Sequence, residues 1–179
     1  MSLDEDILEI FTTMNFNEAC ATIIRTNKLH DKIEPFLIFC VHYTYDARHA
    51  ASTLLLFANN TVTDKGVTLR SLKNKTTTLS TRDFLEDIKA LGQESLDILS
   101  NYPFGLPTIN LDNETRRILT QFGNWIRGDN LPIEHSGRTL LAREFMLELN
   151  ELAIVLIECA QIAAIKMKIF LASVEKNMV

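Results

Sequence analysis

The segment HYTYDARH contains three side chains that can bind a metal ion: His42, Asp46 and His49. In a helix these residues are spaced i, i+4 and i+7, so their side chains leave one face. The carboxylate-x-x-His spacing is typical of helix bundles that bind two metal ions. Near the C-terminus, three glutamates repeat the spacing and would complete such a site: Glu144, Glu148 and Glu151. A metal-binding helical bundle that uses His42, Asp46 and His49 is therefore one alternative function.

The other side of the same helix favours a simpler interpretation. On a helical wheel of about 100° per residue, six apolar residues gather opposite His42 and His49: Phe36, Cys40, Ala47, Ala51, Leu54 and Ala58. Metal ligands have to converge inside a bundle, whereas this His-Asp face points away from the apolar side. We therefore prefer a solvated polar face for these residues, and we expect neither a metal nor another cofactor.

Arg25 and His30, in the segment RTNKLH, are a second candidate site. Their Arg-x4-His spacing resembles that of the HEPN-type ribonucleases, which are also α-helical. The resemblance covers six residues. It implies that Arg25 would hold a phosphate and that His30 would transfer a proton during RNA cleavage. RNA cleavage is therefore an alternative catalytic function, and we do not assign the chain to this family.

Residues 59–81 differ in composition from the rest of the chain, because they are rich in Thr, Asn and Lys and only weakly periodic. A segment of this length without clear periodicity is predicted to be a mobile loop, in which Val67, Leu69 and Leu72 could form either a short strand or a docked loop segment. Five basic residues lie in or just after it and could contact RNA or an acidic partner: Lys65, Arg70, Lys73, Lys75 and Arg82. A solvated loop is the preferred interpretation.

The low content of Gly and Pro and the helical spacing of the apolar residues predict the fold class. The 179 residues include only 6 Gly and 4 Pro, which favours long helices over a many-stranded sheet. Asn17 is a predicted cap for the second helix, Asp31 begins the third, and Asp112 begins another that extends to about Ile126. We predict a single all-α domain over residues 1–179, with about six helices around a long apolar C-terminal helix and a basic Thr/Lys-rich loop in the middle.

Two strongly apolar runs are predicted to form the interior. FLIFCV, residues 36–41, is apolar on all sides and is expected to be buried. LAIVLIECAQIAAI, residues 152–165, is predicted to be a central helix surrounded by its neighbours. Glu158 and Gln161 interrupt this run, which is also shorter than the roughly 20 apolar residues that a membrane span requires.

Charge and cysteine content limit the functions further. A net charge of −5 disfavours a protein that coats nucleic acid over its whole surface. Cys20, Cys40 and Cys159 lie in apolar runs and are expected to be buried free thiols. The N-terminus lacks the pattern of a signal peptide, so we expect a cytoplasmic protein.

The preferred function is that of a non-enzymatic helical interaction protein of a structural or regulatory kind, for example a viral factor. It would form homo-oligomers, bind a protein partner, and use its long C-terminal helix as the dimer seam.

Overall fold

The computed structural model describes residues 4–58, 61–63, 66–70, 76–79, 81–104, 133–135, 139–141 and 143–177, with side chains over 4–58, 86–104, 147 and 149–177. The chain divides into two compact units. The first unit contains Met1–Arg48, Ile98–Asn110 and Ile157–Val179, and the second contains His49–Asp97 and Leu111–Leu156. The single domain expected from the sequence stays a prediction.

Helices dominate the described residues, which confirms the all-α fold class. They are α1 (Glu5–Thr13), α2 (Phe16–Arg25), α3 (His30–Ala58), α4 (Thr81–Ser100) and α5 (Arg143–Asn177), with a 3₁₀ turn at Asn27–Leu29 before α3. The helix predicted over residues 112–126 lies outside the described residues.

Short strands lie between the helices of the second unit. β1 (Thr61–Thr63), β2 (Gly66–Arg70) and β3 (Thr76–Leu79) form an antiparallel sheet in that order. β4 (Ile133–His135) pairs antiparallel with β5 (Thr139–Leu141). In the first sheet, β2 contains Val67 and Leu69, so the strand is formed rather than the alternative docked loop segment.

Side-chain caps determine where the first two helices begin. Asp4 accepts hydrogen bonds from the backbone nitrogens of Asp6 and Ile7, at 3.0 and 3.1 Å, and so caps α1. Asn15 accepts a bond from the Glu18 nitrogen at 2.9 Å and caps α2. The prediction that Asn17 caps this helix is wrong, because α2 already begins at Phe16 and Asn17 lies within its first turn.

An aromatic cluster forms the centre of the first unit. The Phe11 ring of α1 lies 5.5 Å from Phe36 of α3, 5.0 Å from Phe104 and 5.8 Å from Phe170 of α5, measured between ring centroids. Phe11, Phe36, Phe104 and Phe170 are all buried. Aromatic pairs of this kind contribute about 0.5–1.5 kcal/mol each beyond the burial of their area. The cluster therefore fixes how α1, α3 and α5 pack within this unit.

In the second unit, α3, α4 and α5 each bury apolar side chains. The buried residues include Leu54 and Phe57 of α3, Ile88 of α4, and Leu149 and Leu152 of α5. On α4, the buried Ser95 hydroxyl donates to the Leu91 carbonyl at 2.7 Å, so this polar group is satisfied within its own helix.

The two apolar runs are buried on one side only. Phe36 and Cys40 are buried, but Ile38 is 42% exposed and Val41 is 53% exposed, so the prediction that FLIFCV is buried on all sides is wrong. In α5, Leu152 and Leu156 are buried, whereas Ile154 and Ile165 are exposed, as are the polar residues Glu158 and Gln161. Neighbours therefore do not surround this helix on every side. None of the helices in the described residues is long and apolar enough to cross a membrane.

The caps give a direct test of the start of α2. Replacing Asn15 with Ala removes the acceptor for the Glu18 nitrogen and should lower the free energy of unfolding by about 1 kcal/mol. Asn17→Ala is the matched control, since it removes the same amide from an exposed position inside the helix and should leave stability nearly unchanged. Urea denaturation followed by circular dichroism measures both. Equal losses in the two variants would contradict the assigned cap.

Candidate interaction surface

The His-Asp face of α3 is exposed, as the helical wheel predicts. The side chains of His42, Asp46 and His49 are exposed, while the six apolar residues predicted on the opposite side are buried. Within the part of the chain that the structure describes, no group of three or more His, Cys, Asp or Glu side chains is placed to hold a metal ion. Of the glutamate triplet, Glu151 is exposed, and the side chains of Glu144 and Glu148 lie outside the described residues.

Arg25 and His30 are both exposed and both bond to backbone carbonyls. The Arg25 Nε donates to the Ala21 oxygen at 3.2 Å. The His30 Nε2 lies 2.7 Å from the Ile24 oxygen, and because a carbonyl only accepts, this ring nitrogen is the donor. These bonds hold the end of α2 and the start of α3, and neither of them joins the two side chains.

The basic residues predicted to contact RNA or an acidic partner fall mostly outside the described residues. Lys65, Lys73 and Lys75 lie there entirely. Arg70 belongs to β2 and Arg82 to α4, but their side chains are likewise outside the described set.

One exposed stripe of α3 combines apolar and charged residues at the spacing of a coiled-coil seam. Its members follow one another at alternating steps of three and four residues, which keeps them on one side of a helix. We call this stripe the α3 seam, and it consists of Asp31, Glu34, Ile38, Val41, Tyr45 and Arg48. All six side chains are exposed, and Tyr45 is 68% exposed. The seam thus has apolar residues at its middle, acids at its N-terminal end and a base at its C-terminal end.

The buried side of α3 holds the seam toward solvent. Phe36 packs in the aromatic cluster, Cys40 and Ala47 are fully buried, and Tyr43 lies 6.0 Å from Tyr102 in an edge-on arrangement. Near the start of α3, Lys32 Nζ also contacts two carboxylates at the beginning of α1. These contacts fix the rotation of α3 about its axis, so the opposite stripe has to face outward.

A second exposed face lies on α5 within the first unit. Five of its residues are spaced like those of the α3 seam, and Ile169 lies beside them. We call this surface the α5 face: Glu158, Gln161, Ile165, Lys168, Ile169 and Ala172. Ile165 is 59% exposed. The opposite side of α5 buries Cys159, Ala163 and Phe170. The face carries two isoleucines among polar residues.

Lys166 lies beside the aromatic cluster. Its Nζ is 5.5 Å from the centroid of the Phe16 ring, 5.9 Å from Tyr102 and 6.0 Å from Phe104, within range of cation–π contact. Burial lowers the pKa of Lys166, and the neighbouring Cys20 thiol opposes that shift. The aromatic faces partly replace the water that the ammonium loses, so the lysine can close one edge of the core.

The three thiols and the Tyr43 hydroxyl inside the first unit are buried, and burial disfavours their ionised forms. All three cysteines are buried free thiols, as the sequence predicts. Burial raises the pKa of Cys40 to about 12 and those of Cys20 and Cys159 to about 11. The Tyr43 hydroxyl oxygen is also buried, and no hydrogen-bond partner satisfies it within the described part of the chain. Burial, and secondarily the nearby Cys159 thiol, raise the pKa of Tyr43.

Sequence reasoning missed the α3 seam, although its spacing is readable. Ile38 and Val41 fall between charged residues at seam spacing, but they also belong to the apolar run FLIFCV, whose sequence alone does not show which side is exposed. Lys166 was missed because its neighbours Phe16, Tyr102 and Phe104 are distant in the sequence. Comparison of the chain with protein-family models, with curated proteins and with solved structures gives no match.

Tyr43 provides a test of the interior of the first unit. Tyr43→Phe removes a buried hydroxyl that has no hydrogen-bond partner among the described residues, and it should raise the free energy of unfolding by about 1 kcal/mol. Since the pKa of Tyr43 is raised in the folded state, ionisation of this tyrosine in the unfolded chain lowers the stability of the wild type as pH rises above the ordinary tyrosine pKa near 10. The variant should lack this part of the loss. Tyr102→Phe is the matched control, since it removes the same hydroxyl from the ring that packs against Tyr43. A destabilised Tyr43→Phe protein would contradict the conclusion that the Tyr43 hydroxyl is unsatisfied.

The thiols give a second test. In the folded protein at about pH 8, Cys20, Cys40 and Cys159 should react with iodoacetamide far more slowly than free cysteine, because they are buried and their raised pKa values disfavour the thiolate. Concentrated guanidinium should expose all three to labelling, which intact-mass spectrometry counts. Rapid labelling of a thiol in the folded state would show that the first unit opens readily.

Proposed function

We propose that this chain is a non-enzymatic helical interaction protein that associates with copies of itself through an exposed helix face of the first unit. The observation that carries the proposal is the exposure of large apolar side chains at seam spacing on α3, where Ile38 and Val41 lie on the outer side of a helix whose inner side is already packed. The α5 face adds Ile165 and Ile169 on a second helix of the same unit.

Exposed apolar area explains why association is favourable. Each Å² of apolar surface removed from water contributes roughly 25 cal/mol, and contiguous apolar patches rimmed by polar residues are typical of protein interfaces. Both surfaces have this character: Glu34 and Arg48 border the apolar part of the α3 seam, and Lys168 borders Ile165 on the α5 face. Helix faces of this kind bind other helices by inserting side chains into gaps on the facing helix.

The other hypotheses from the sequence have less support. A metal-binding function would need His42, Asp46 and His49 to converge with further ligands, and they are exposed on the outer side of α3. RNA cleavage would need the His30 imidazole to exchange a proton with substrate, whereas its Nε2 donates to the Ile24 carbonyl. No specific observation favours either one over association.

Light scattering across a dilution series tests the proposal. The mass should rise from the 20.4 kDa of one chain at high dilution toward at least twice that value as concentration increases. Nuclease treatment and the ratio of absorbance at 260 and 280 nm exclude bridging by nucleic acid. A strict monomer up to ~1 mM, where even a weak specific complex would form, would refute self-association.

A paired variant connects the association to these faces. Val41→Glu combined with Ile165→Glu places a charge at the apolar part of both surfaces and should leave the protein folded but monomeric. The matched control, Asn17→Glu combined with Asn27→Glu, adds the same charges at exposed polar positions of the first unit and should associate as the wild type does. If the paired face variant also associated like the wild type, the interface would lie elsewhere.

A further inference from the structure

We infer that the α3 seam binds the α3 seam of a second copy of this chain, with the two helices antiparallel about a two-fold axis that passes between Ile38 and Val41. The inference rests on the proposed self-association and specifies its partner, surface and register. It depends on the order of residues along the exposed stripe: two acids, three apolar or aromatic residues, and a base.

One antiparallel register matches every layer of the seam. At its centre Ile38 faces Val41 of the second copy, and the two-fold axis repeats this apolar contact. One layer outward, the Tyr45 hydroxyl faces the Glu34 carboxylate, which is a hydrogen-bond acceptor. At the ends, Arg48 faces Asp31, so a guanidinium meets a carboxylate twice in each dimer. All these residues belong to the first unit and are exposed in the single chain.

A parallel pairing of the same surface is disfavoured by charge. With the helices parallel and in register, Asp31 would face Asp31, Glu34 would face Glu34 and Arg48 would face Arg48. Opposed like charges at the edges of a helix seam select against that arrangement. The charge order therefore selects the orientation, and the apolar centre supplies the attraction.

The α5 face does not offer an equally complementary register within the first unit. Among the α5 residues at steps of three and four, namely Glu158, Gln161, Ile165, Lys168 and Ala172, an antiparallel pairing places Ile165 opposite either Gln161 or Lys168. A parallel pairing joins Ile165 to Ile165 but also Glu158 to Glu158 and Lys168 to Lys168. The α3 seam is thus the better self-complementary surface, and an isologous contact of this kind closes at a dimer.

Charge reversal tests the register. Asp31→Arg alone places an arginine opposite Arg48, and Arg48→Asp alone places an aspartate opposite Asp31. Each variant should weaken dimerisation by about tenfold at low salt, since two attractive contacts become repulsive. Asp31→Arg combined with Arg48→Asp restores opposite charges and should return the dissociation constant to within about twofold of the wild type. Sedimentation velocity across a concentration series measures all four proteins, and circular dichroism checks that each is folded.

Mixing provides an independent readout. The two single variants, each weak alone, should form a mixed dimer when combined, because both of its ends then pair an arginine with an aspartate. Asp46→Arg is the matched control for Asp31→Arg: it makes the same charge change on the exposed side of α3 outside the seam and should leave dimerisation unchanged.

Two results would overturn the inference. One is single variants that dimerise as well as the wild type, and the other is a double variant that stays as weak as the singles. Lys168→Asp distinguishes the failure of this inference from failure of the proposed function. If this variant weakens an association that the α3 variants leave intact, the chain self-associates through α5 instead. A monomeric wild type would refute both.

Discussion

The packing of Phe36 into the aromatic cluster is the constraint on which the first unit depends. Its ring lies 5.5 Å from Phe11, 5.7 Å from Phe104 and 6.1 Å from Phe170, so a single side chain of α3 contacts rings from three other parts of the unit. Burial of a phenylalanine contributes about 1.5–3 kcal/mol. A rotation of α3 that buried Ile38 and Val41 would withdraw Phe36, Cys40 and Ala47 from the interior, so the apolar stripe stays outside.

An exposed stripe that is apolar only at its middle suits specific association better than general adhesion. In the proposed association, Ile38 and Val41 would supply apolar area, while Glu34 and Arg48 would restrict which surfaces can approach and in which orientation. Tyr45 combines apolar area with a polar group, because its ring is apolar and its hydroxyl can form hydrogen bonds. The His-Asp face borders this stripe on the same exposed side of α3, so His42 and Asp46 lie in solvent beside the seam.

Helical periodicity predicted the side of α3 that is buried, but the seam required information about the neighbouring helices. The six apolar residues opposite His42, the three buried thiols and the all-α class follow from spacing and composition. In FLIFCV every residue is apolar, so the pattern cannot tell which side faces the core; that choice is made by Phe11, Phe104 and Phe170, which lie far away in sequence. The start of α2 also differs from the sequence prediction. Asn15 and Asn17 are equally good caps by residue type, and only the backbone conformation selects Asn15.

The chemistry inside the first unit also favours a function at its surface. A nucleophilic cysteine needs a stabilised thiolate, yet burial raises the pKa values of Cys20, Cys40 and Cys159. Among the described groups with a resolved shift, Lys166 is the amine whose pKa falls. Its Nζ lies over the Phe16, Tyr102 and Phe104 rings. The interior therefore holds the helices in place, and the association that we propose uses the exposed side of α3.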